Sequence, residues 1–492
     1  MKKQTEMKKK IGIVLIISLF LVLFQTSKVK ANPNWLTGWN KRVKIEIDCG
    51  DIDSDLSSFP VLIFLSNSSA GQYDEDVSCV FDEVGSNSKK IALTVGETEE
   101  TYVEIEKWDS TNEQAWLWAN VTASSSVNTT LYLYYDNDHA DNTVYVDDTN
   151  VGNSANVWDS NFKMVQHMCD NTTSSVVDST QYDNDGTKFA ANEPIETDGN
   201  ISKAQSFDGE DDYIEIPTSG MQTSAGTVSL WIKLLEAPPE ANAIFFSHYI
   251  TGKDARIYLT SLADLTFDVG FSDSSYIVTS HTLTLNSWEH LVLTWVKVNG
   301  TTTIKAYANG VNVLTRPDSV DLEAISSEVR LGEPVFTLHL VNCVIDEVHI
   351  LNQTLTADEI KASYESGRDH LLDFGSEKEI YFIAFYNNAG GQFEVNGTII
   401  TNGTTIEYNI SDILILKAYP DGNKLFANYT WDSSYTLLNP YNLNLTTNFI
   451  LWCFFDSVPE STPVTNWMII PLVFGLAAIA LVLKHIQGDD EQ

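Results

Sequence analysis

The residues best placed to do chemistry are the carboxylates of Asp208-Gly209-Glu210-Asp211-Asp212, set in AQSFDGEDDYIEIP. Acids this close repel one another unless water or a cation shares their charge. An oxygen-rich cluster beside backbone carbonyls is what calcium takes. Asp178 and Asp185, in VDSTQYDNDG, could add ligands. The competing reading is a solvated polar turn in an acidic protein. Asp183-Asn184-Asp185-Gly186 opens like an EF-hand loop, but the remaining ligand pattern of that loop is absent.

Other reactive constellations are missing from the sequence. It has no G-x-S-x-G, no H-E-x-x-H and no phosphate loop. The nine histidines are isolated; His167, His290, His339 and His349 fall within strand patterns, where a lone His is structural or exposed. The five cysteines, Cys49, Cys79, Cys169, Cys343 and Cys453, form no C-x-x-C pair, which argues against zinc and thioredoxin-type sites.

The elements around the acidic turn follow from local pattern. A strand enters it, and Ile214-Glu215-Ile216 alternates out of it. VIDEVHILNQTLTADEIKASYESG, residues 344–367, reads as a strand followed by a helix. Thr356 and Glu359 form a capping box and Gly367 is placed to end the helix. Between them lie WEHLVLTWV and an Asn309-Gly310 pair flanked by strand-like runs, the signature of a tight hairpin. TVSLWIKLL, ARIYLT, DLTFDVGF and TIKAYANGVNVLT supply further short strands.

Taken together, these motifs resemble the laminin-G-like, concanavalin-A-like jelly-roll domains. The resemblance implies an all-β sandwich with Greek-key connections over residues 161–375, a module that mostly binds ligands, glycans above all. It implies that MVQHMC, the first strand, pairs near the last, NCVIDEVHI. It also implies that Asp346 helps close a structural calcium site with Asp208, Asp211 and Asp212. Cys169 and Cys343, on those first and last strands, are expected as a disulfide, with Cys49–Cys79 as a second and Cys453 as the odd thiol. Trp231, Trp288, Trp295, Tyr249, Tyr258 and Tyr276 are the aromatics available for stacking on sugars, with Trp288 and Trp295 assigned to the core.

Laminarinase-like enzymes share this fold and need two carboxylates on one face of a strand. Glu46-Ile47-Asp48 with Asp51, and Glu104-Ile105-Glu106, approach that pattern but fall in the first outer domain. Asp346-Glu347, being adjacent on a strand, should point to opposite faces. No catalytic residue is therefore assigned, and the chain is read as a binding protein and not an enzyme.

The flanks give the expected location. Residues 1–31 carry a lysine-rich start, an apolar run from Ile11 to Phe24 and a Val29-Lys30-Ala31 exit, as in a signal peptide cleaved after about Ala31. Trp467 to Leu483 is an apolar run of 17 residues followed by Lys484, read as one C-terminal transmembrane helix with a tail at 484–492. Residues 457–466 read as its linker. The net charge is −38. Removing residues 1–31, with seven lysines and one glutamate, takes away +6 and leaves −44. Nucleic acid and anionic membrane surfaces are poor partners for such a chain. Twelve N-x-S/T acceptors, Asn67, Asn120, Asn128, Asn171, Asn200, Asn299, Asn352, Asn396, Asn402, Asn409, Asn428 and Asn444, make a glycosylated surface the expectation.

Two further all-β domains are expected. Residues 32–160, with GWNKRVKIEI, FPVLI, Trp116-Leu117-Trp118 and LYLYYDN, resemble a microbial extracellular domain of unknown function, family 2341. Residues 376–456, with Gly390-Gly391-Gln392-Phe393 and an Ala-x-Pro-x-Gly element, resemble the B-repeat domain of internalin-type surface proteins. The whole reads as a membrane-anchored cell-surface protein for adhesion or glycan binding. A glycosylated structural stalk or surface-layer component, or a polysaccharide hydrolase or lyase, are the rivals.

Overall fold

The computed structural model describes residues 35–457, apart from 68–75, 150–151, 190–192, 238–242, 249–254, 260–265, 271–276, 319–324, 333–340, 388–390, 402–403, 410–412, 422–423, 432–433, 437, 439 and 445–448. The leader-like and C-terminal apolar segments lie outside these residues. Among the described residues no helix is long and apolar enough to cross a membrane. The chain divides into two compact units. Among the described residues, 35–381 with 407–409 form one, and 382–406 with 413–457 form the other.

The larger unit opens with a sandwich. One sheet runs Lys41–Ile47, Thr129–Tyr135, Ile91–Val95, Glu99–Thr101; the other runs Leu56–Ser66, Gln114–Ala123, Val103–Asp109, Val146–Asp148. Val43, Ile45, Ile63, Leu117 and Leu133 fill the core between them. The unbroken FPVLIFLS run has its reason in two covered faces. Val61, Ile63 and Leu65 enter this core, while Leu62 on the opposite face joins Trp118, Trp158, Phe162 and Ile201 in a second apolar cluster. That cluster is a seam between the sandwich and the jelly roll that follows.

The jelly roll has the expected antiparallel sheets. One is ordered Ile195–Asp198, Lys203–Asp208, Asn342–Leu351, Ala225–Leu234, Trp288–Val298, Thr301–Ala308, Val311–Asp318. The other is ordered Ser175–Val176, Gly186–Phe189, Tyr213–Pro217, Glu328–Leu331, Ala243–His248, Ala255–Leu259, Thr266–Gly270, Ile277–Thr282. The first strand, Phe162–Gln166, pairs with the last, as expected, with Gln166 opposite Val348. Asn309 and Gly310 both take positive φ, 51° and 77°, so the hairpin closes as its dipeptide dictates. The helix Ala357–Ser366 carries the full Thr356/Glu359 capping box and ends at Gly367, which itself is right-handed, at φ −69°.

The smaller unit is also β-rich. It pairs Gly391–Val395 with Thr398–Ile400 and Ile413–Pro420, and Lys424–Trp431 with Phe449–Ser457.

All five cysteines are thiols, which corrects both expected disulfides. The edge of the last strand is shared. Phe162–Gln166 takes its second half, and Lys203–Asp208 takes its first, with Phe207 opposite Cys343. Cys169 is thereby diverted from the slot beside Cys343. Cys79 Sγ accepts a hydrogen bond from the hydroxyl of Tyr135, which stands opposite Lys41, whereas Cys49 follows Ile47, which stands opposite Thr129. Six strand residues, about 20 Å, separate those ends.

Candidate ligand-binding cleft

The outer sheet of the first sandwich presents a row that alternation sets apart. Along QAWLWANV, Leu117 and Ala119 enter the core while Trp116, Trp118 and Asn120 face the seam. Trp118 is buried there, and Trp116 remains half-buried at the rim. Opposite stands the jelly roll, with Trp231, half-buried Trp288 and the C-terminal end of the capped helix. Together they line a cleft of about 440 Å³.

Its walls are aromatic. Trp116 lies against Phe64 with ring centres 5.0 Å apart. Trp231 stacks on Tyr364 at 5.6 Å, with an interplanar angle of 21°. Cations back three of these rings: Lys107 over Trp116 at 5.4 Å, Lys233 over Trp288 at 4.7 Å and Arg368 over Tyr364 at 5.1 Å. Such pairs fix ring orientation and polarise the faces. Gln114, Asn200, Ser202, Arg368 and Asp369 supply the polar part of the lining. Flat apolar faces with a few convergent polar groups are the usual make-up of a small-molecule site.

Of the aromatics named from sequence, Trp231 and Trp288 meet in this cleft. Trp288 thus leaves the core to which it was assigned, because it opens its strand at the sheet's end. Trp295 is in the core, and Tyr258 is buried. Tyr249 and Tyr276, like His339, lie outside the described residues. Sequence reading missed Phe64, Gln114, Trp116, Tyr364, Arg368 and Asp369, which come from separate elements. The alternation around Trp116 was the signal available.

The acidic turn brings together three of the four residues expected to hold a metal. Carboxylate oxygens of Asp208, Asp211 and Asp212 lie within 4.8 Å of one another. Asp208 accepts from the amides of Glu210 and Asp211, and Asp212 Oδ2 from the amide of Asp208. Asp212 Oδ1 is buried without a hydrogen-bond partner. Burial pushes the Asp212 carboxyl up to about 6, and the neighbouring acids add to it. The fourth, Asp346, lies elsewhere: its Oδ2 accepts from the amides of Asn200 and Ile201 at 2.8 and 2.9 Å. The register explains this. Asp208 pairs with Asn342, four residues before Asp346 on the same strand. Asp178, buried, is committed to the amides of Val165, Thr180 and Asn184.

A second correction concerns Asp346 and Glu347. Trp231 pairs with Asp346 but Ser229 pairs with His349, so the strand bulges between, and Glu347 takes a positive φ of 46°. The bulge breaks the strict alternation and turns both carboxylates towards the seam.

Comparison with known families now bears on this geometry. Residues 208–361 match the family described as the concanavalin A-like lectin/glucanases superfamily. This stretch has the concanavalin A-like lectin/glucanase fold. The comparison with curated proteins found no match. Among solved structures, the chain is similar to domain 4 of AbnA, a GH43 extracellular arabinanase from Geobacillus stearothermophilus, in complex with arabinotriose. The identity is 22%, over 41% of this chain and 96% of that one, with a TM-score of 0.34. The binding domain of Paraclostridial Mosquitocidal Protein 1 is similar at 14% identity, over 54% of this chain and 77% of that one, with a TM-score of 0.35. The Botulinum Neurotoxin Type G receptor binding domain is similar at 12% identity, over 59% and 81%, with a TM-score of 0.33.

Proposed function

We propose that the chain is a cell-surface, membrane-anchored protein that binds glycans in the cleft between its first sandwich and its lectin/glucanase-type domain. The observation that carries this reading is the set of half-buried rings of Trp116, Trp288 and Tyr364 converging with Gln114, Asn200, Arg368 and Asp369. Sugar rings offer apolar C–H faces to such aromatics and hydroxyls to such side chains. The first sandwich supplies one wall, and the smaller β unit reads as a spacer or stalk above the membrane.

Binding is preferred to hydrolysis on the same geometry. A glycosidase needs two carboxyls flanking the scissile bond. Among the described residues lining the cleft, Asp369 is the one carboxylate. Glu104, Glu106 and Glu347 are buried, under Trp118 and Trp158. The acidic turn of Asp208, Asp211 and Asp212 is read as a structural calcium site, for which the unpartnered Asp212 Oδ1 is the supporting feature.

A glycan array probed with the full chain tests the reading. Selective retention of a few related saccharides is expected. Uniform absence of retention would favour the stalk, and release of products from a polysaccharide would favour an enzyme.

A further inference from the structure

The seam holds a cluster of charged side chains that the cleft does not use. Glu104 and Glu106 come from the first sandwich, His167 follows the first jelly-roll strand, and Glu347 and His349 come from the last. Glu104, Glu106, His167 and Glu347 are all at least nine-tenths buried. The bulge at Glu347 turns its carboxylate here, while Glu104 and Glu106, two residues apart on one strand, share a face by simple alternation.

One ligand-type atom from each of Glu106, His167 and Glu347 lies within 4.8 Å of the others. Nδ1 of His167 is 2.9 Å from Glu347 Oε1 and 3.7 Å from Glu106 Oε2. Each member is held by a further group. Nε2 of His167 faces Glu104 Oε2 at 3.5 Å, and Trp158 Nε1 donates to that same oxygen at 2.5 Å. Trp118 Nε1 donates to Glu106 Oε2 at 2.9 Å, and His349 Nε2 lies 3.0 Å from Glu347 Oε2. Yet Glu104 Oε1 and Glu106 Oε1 are buried without a hydrogen-bond partner. Buried polar atoms left so carry a large desolvation cost unless something else meets them.

The partners point the same way. Glu104, Glu106 and Glu347 face two imidazoles, and among the described residues no lysine or arginine pairs with them. We propose that the seam binds one divalent transition-metal ion of the zinc class, through Nδ1 of His167 and the carboxylates of Glu106 and Glu347. An imidazole nitrogen with two carboxylates suits zinc. Calcium prefers six to eight oxygens and no imidazole. Glu104 then acts as the carboxylate that orients the metal-bearing imidazole through its other nitrogen, and His349 and Trp118 orient the two carboxylates. The ligands come from both domains, so the ion staples the sandwich to the lectin/glucanase-type domain and fixes the walls of the cleft.

The full chain, stripped with a chelator and then titrated with Zn²⁺ or Co²⁺, tests this. About one equivalent should bind, raise the thermal midpoint and, with Co²⁺, give visible d–d absorption. Glu104→Gln keeps all three ligands and should weaken binding roughly 10- to 100-fold. His167→Gln should abolish the tight equivalent, and Asp212→Asn should leave it intact. Should His167→Gln fail to fold, the parent's cobalt spectrum and Glu104→Gln still decide. A parent chain that neither binds nor is stabilised by either ion overturns the proposal. So does a site that is insensitive to Glu104→Gln and lost with Asp212→Asn.

Discussion

Asp346 and Glu347 are consecutive residues whose carboxylates both end in the buried seam. The bulge at Glu347 turns its carboxylate onto His167 and His349, while Asp346 stays on the amides of Asn200 and Ile201. Burial, with Glu347 next to it, pushes the Asp346 carboxyl well above the usual carboxylate range. Its work is to hold the turn at 199–202, which forms part of the cleft wall.

Replacing that acceptor separates the turn from the acidic loop. Asp346→Ala strands the buried amide of Ile201 and the part-buried amide of Asn200 and should cost about 1–3 kcal/mol, measured by denaturant titration. The calcium response should persist. With a typical extracellular affinity, roughly 10 mM calcium should stabilise the parent by about 1.4–2.7 kcal/mol. Asp212→Asn should lose this. A calcium response lost in Asp346→Ala and kept in Asp212→Asn would return Asp346 to the metal site.

The cysteines give a chemical prediction. Cys343 and Cys453 are buried, and burial alone pushes the Cys453 thiol up to about 12. Alkylation of the native chain should spare both, and denaturation under non-reducing conditions should expose them as thiols. A peptide joining Cys169 to Cys343 would contradict the strand arrangement.

Glycosylation should follow access. Asn128, Asn171, Asn299 and Asn396 are exposed. The side-chain amide of Asn120 donates to Val157 O at 2.9 Å, and that of Asn200 to Gly367 O at 2.8 Å. Peptide mapping of the chain from a glycosylating host should find sugar on the exposed group and none on Asn120 or Asn200, where a glycan would part the seam.

His248 sets a pH dependence. It is buried, accepts from the amide of Ser326 at 2.9 Å, and burial pushes its imidazole down to about 4. The unfolded chain protonates this residue near pH 6.5, while the folded chain resists until about 4. The unfolded state therefore binds more protons between these values, and stability falls as pH falls through that window. The slope is about 1.4 kcal/mol per pH unit for this group. Urea midpoints from pH 7 to 4 should show the loss, and His248→Gln should reduce its slope. A slope unchanged by the substitution would mean that other groups govern it.

Local signals carried much of the fold. The Asn309-Gly310 turn, the Thr356/Glu359 box and the pairing of Phe162–Gln166 with Asn342–Leu351 all follow from short-range pattern or from the family resemblance. The site was far less legible. Trp116, Trp231, Trp288 and Tyr364 come from four distant elements, and only the docking of one sandwich on another joins them. The bulge at Glu347 was invisible for a related reason. Period-two alternation assigns faces correctly only while the register holds, and one extra residue reverses the assignment.

The central claim is that the aromatic cleft binds a glycan. Its most direct measurement is a calorimetric titration of the full chain with the saccharide best retained on the array, run beside Trp116→Ala and Trp288→Ala. Each ring should contribute on the order of 1–2 kcal/mol, so each variant should bind roughly 5- to 30-fold more weakly while unfolding like the parent. Parent-like affinity in both variants would contradict the account and move the binding surface elsewhere.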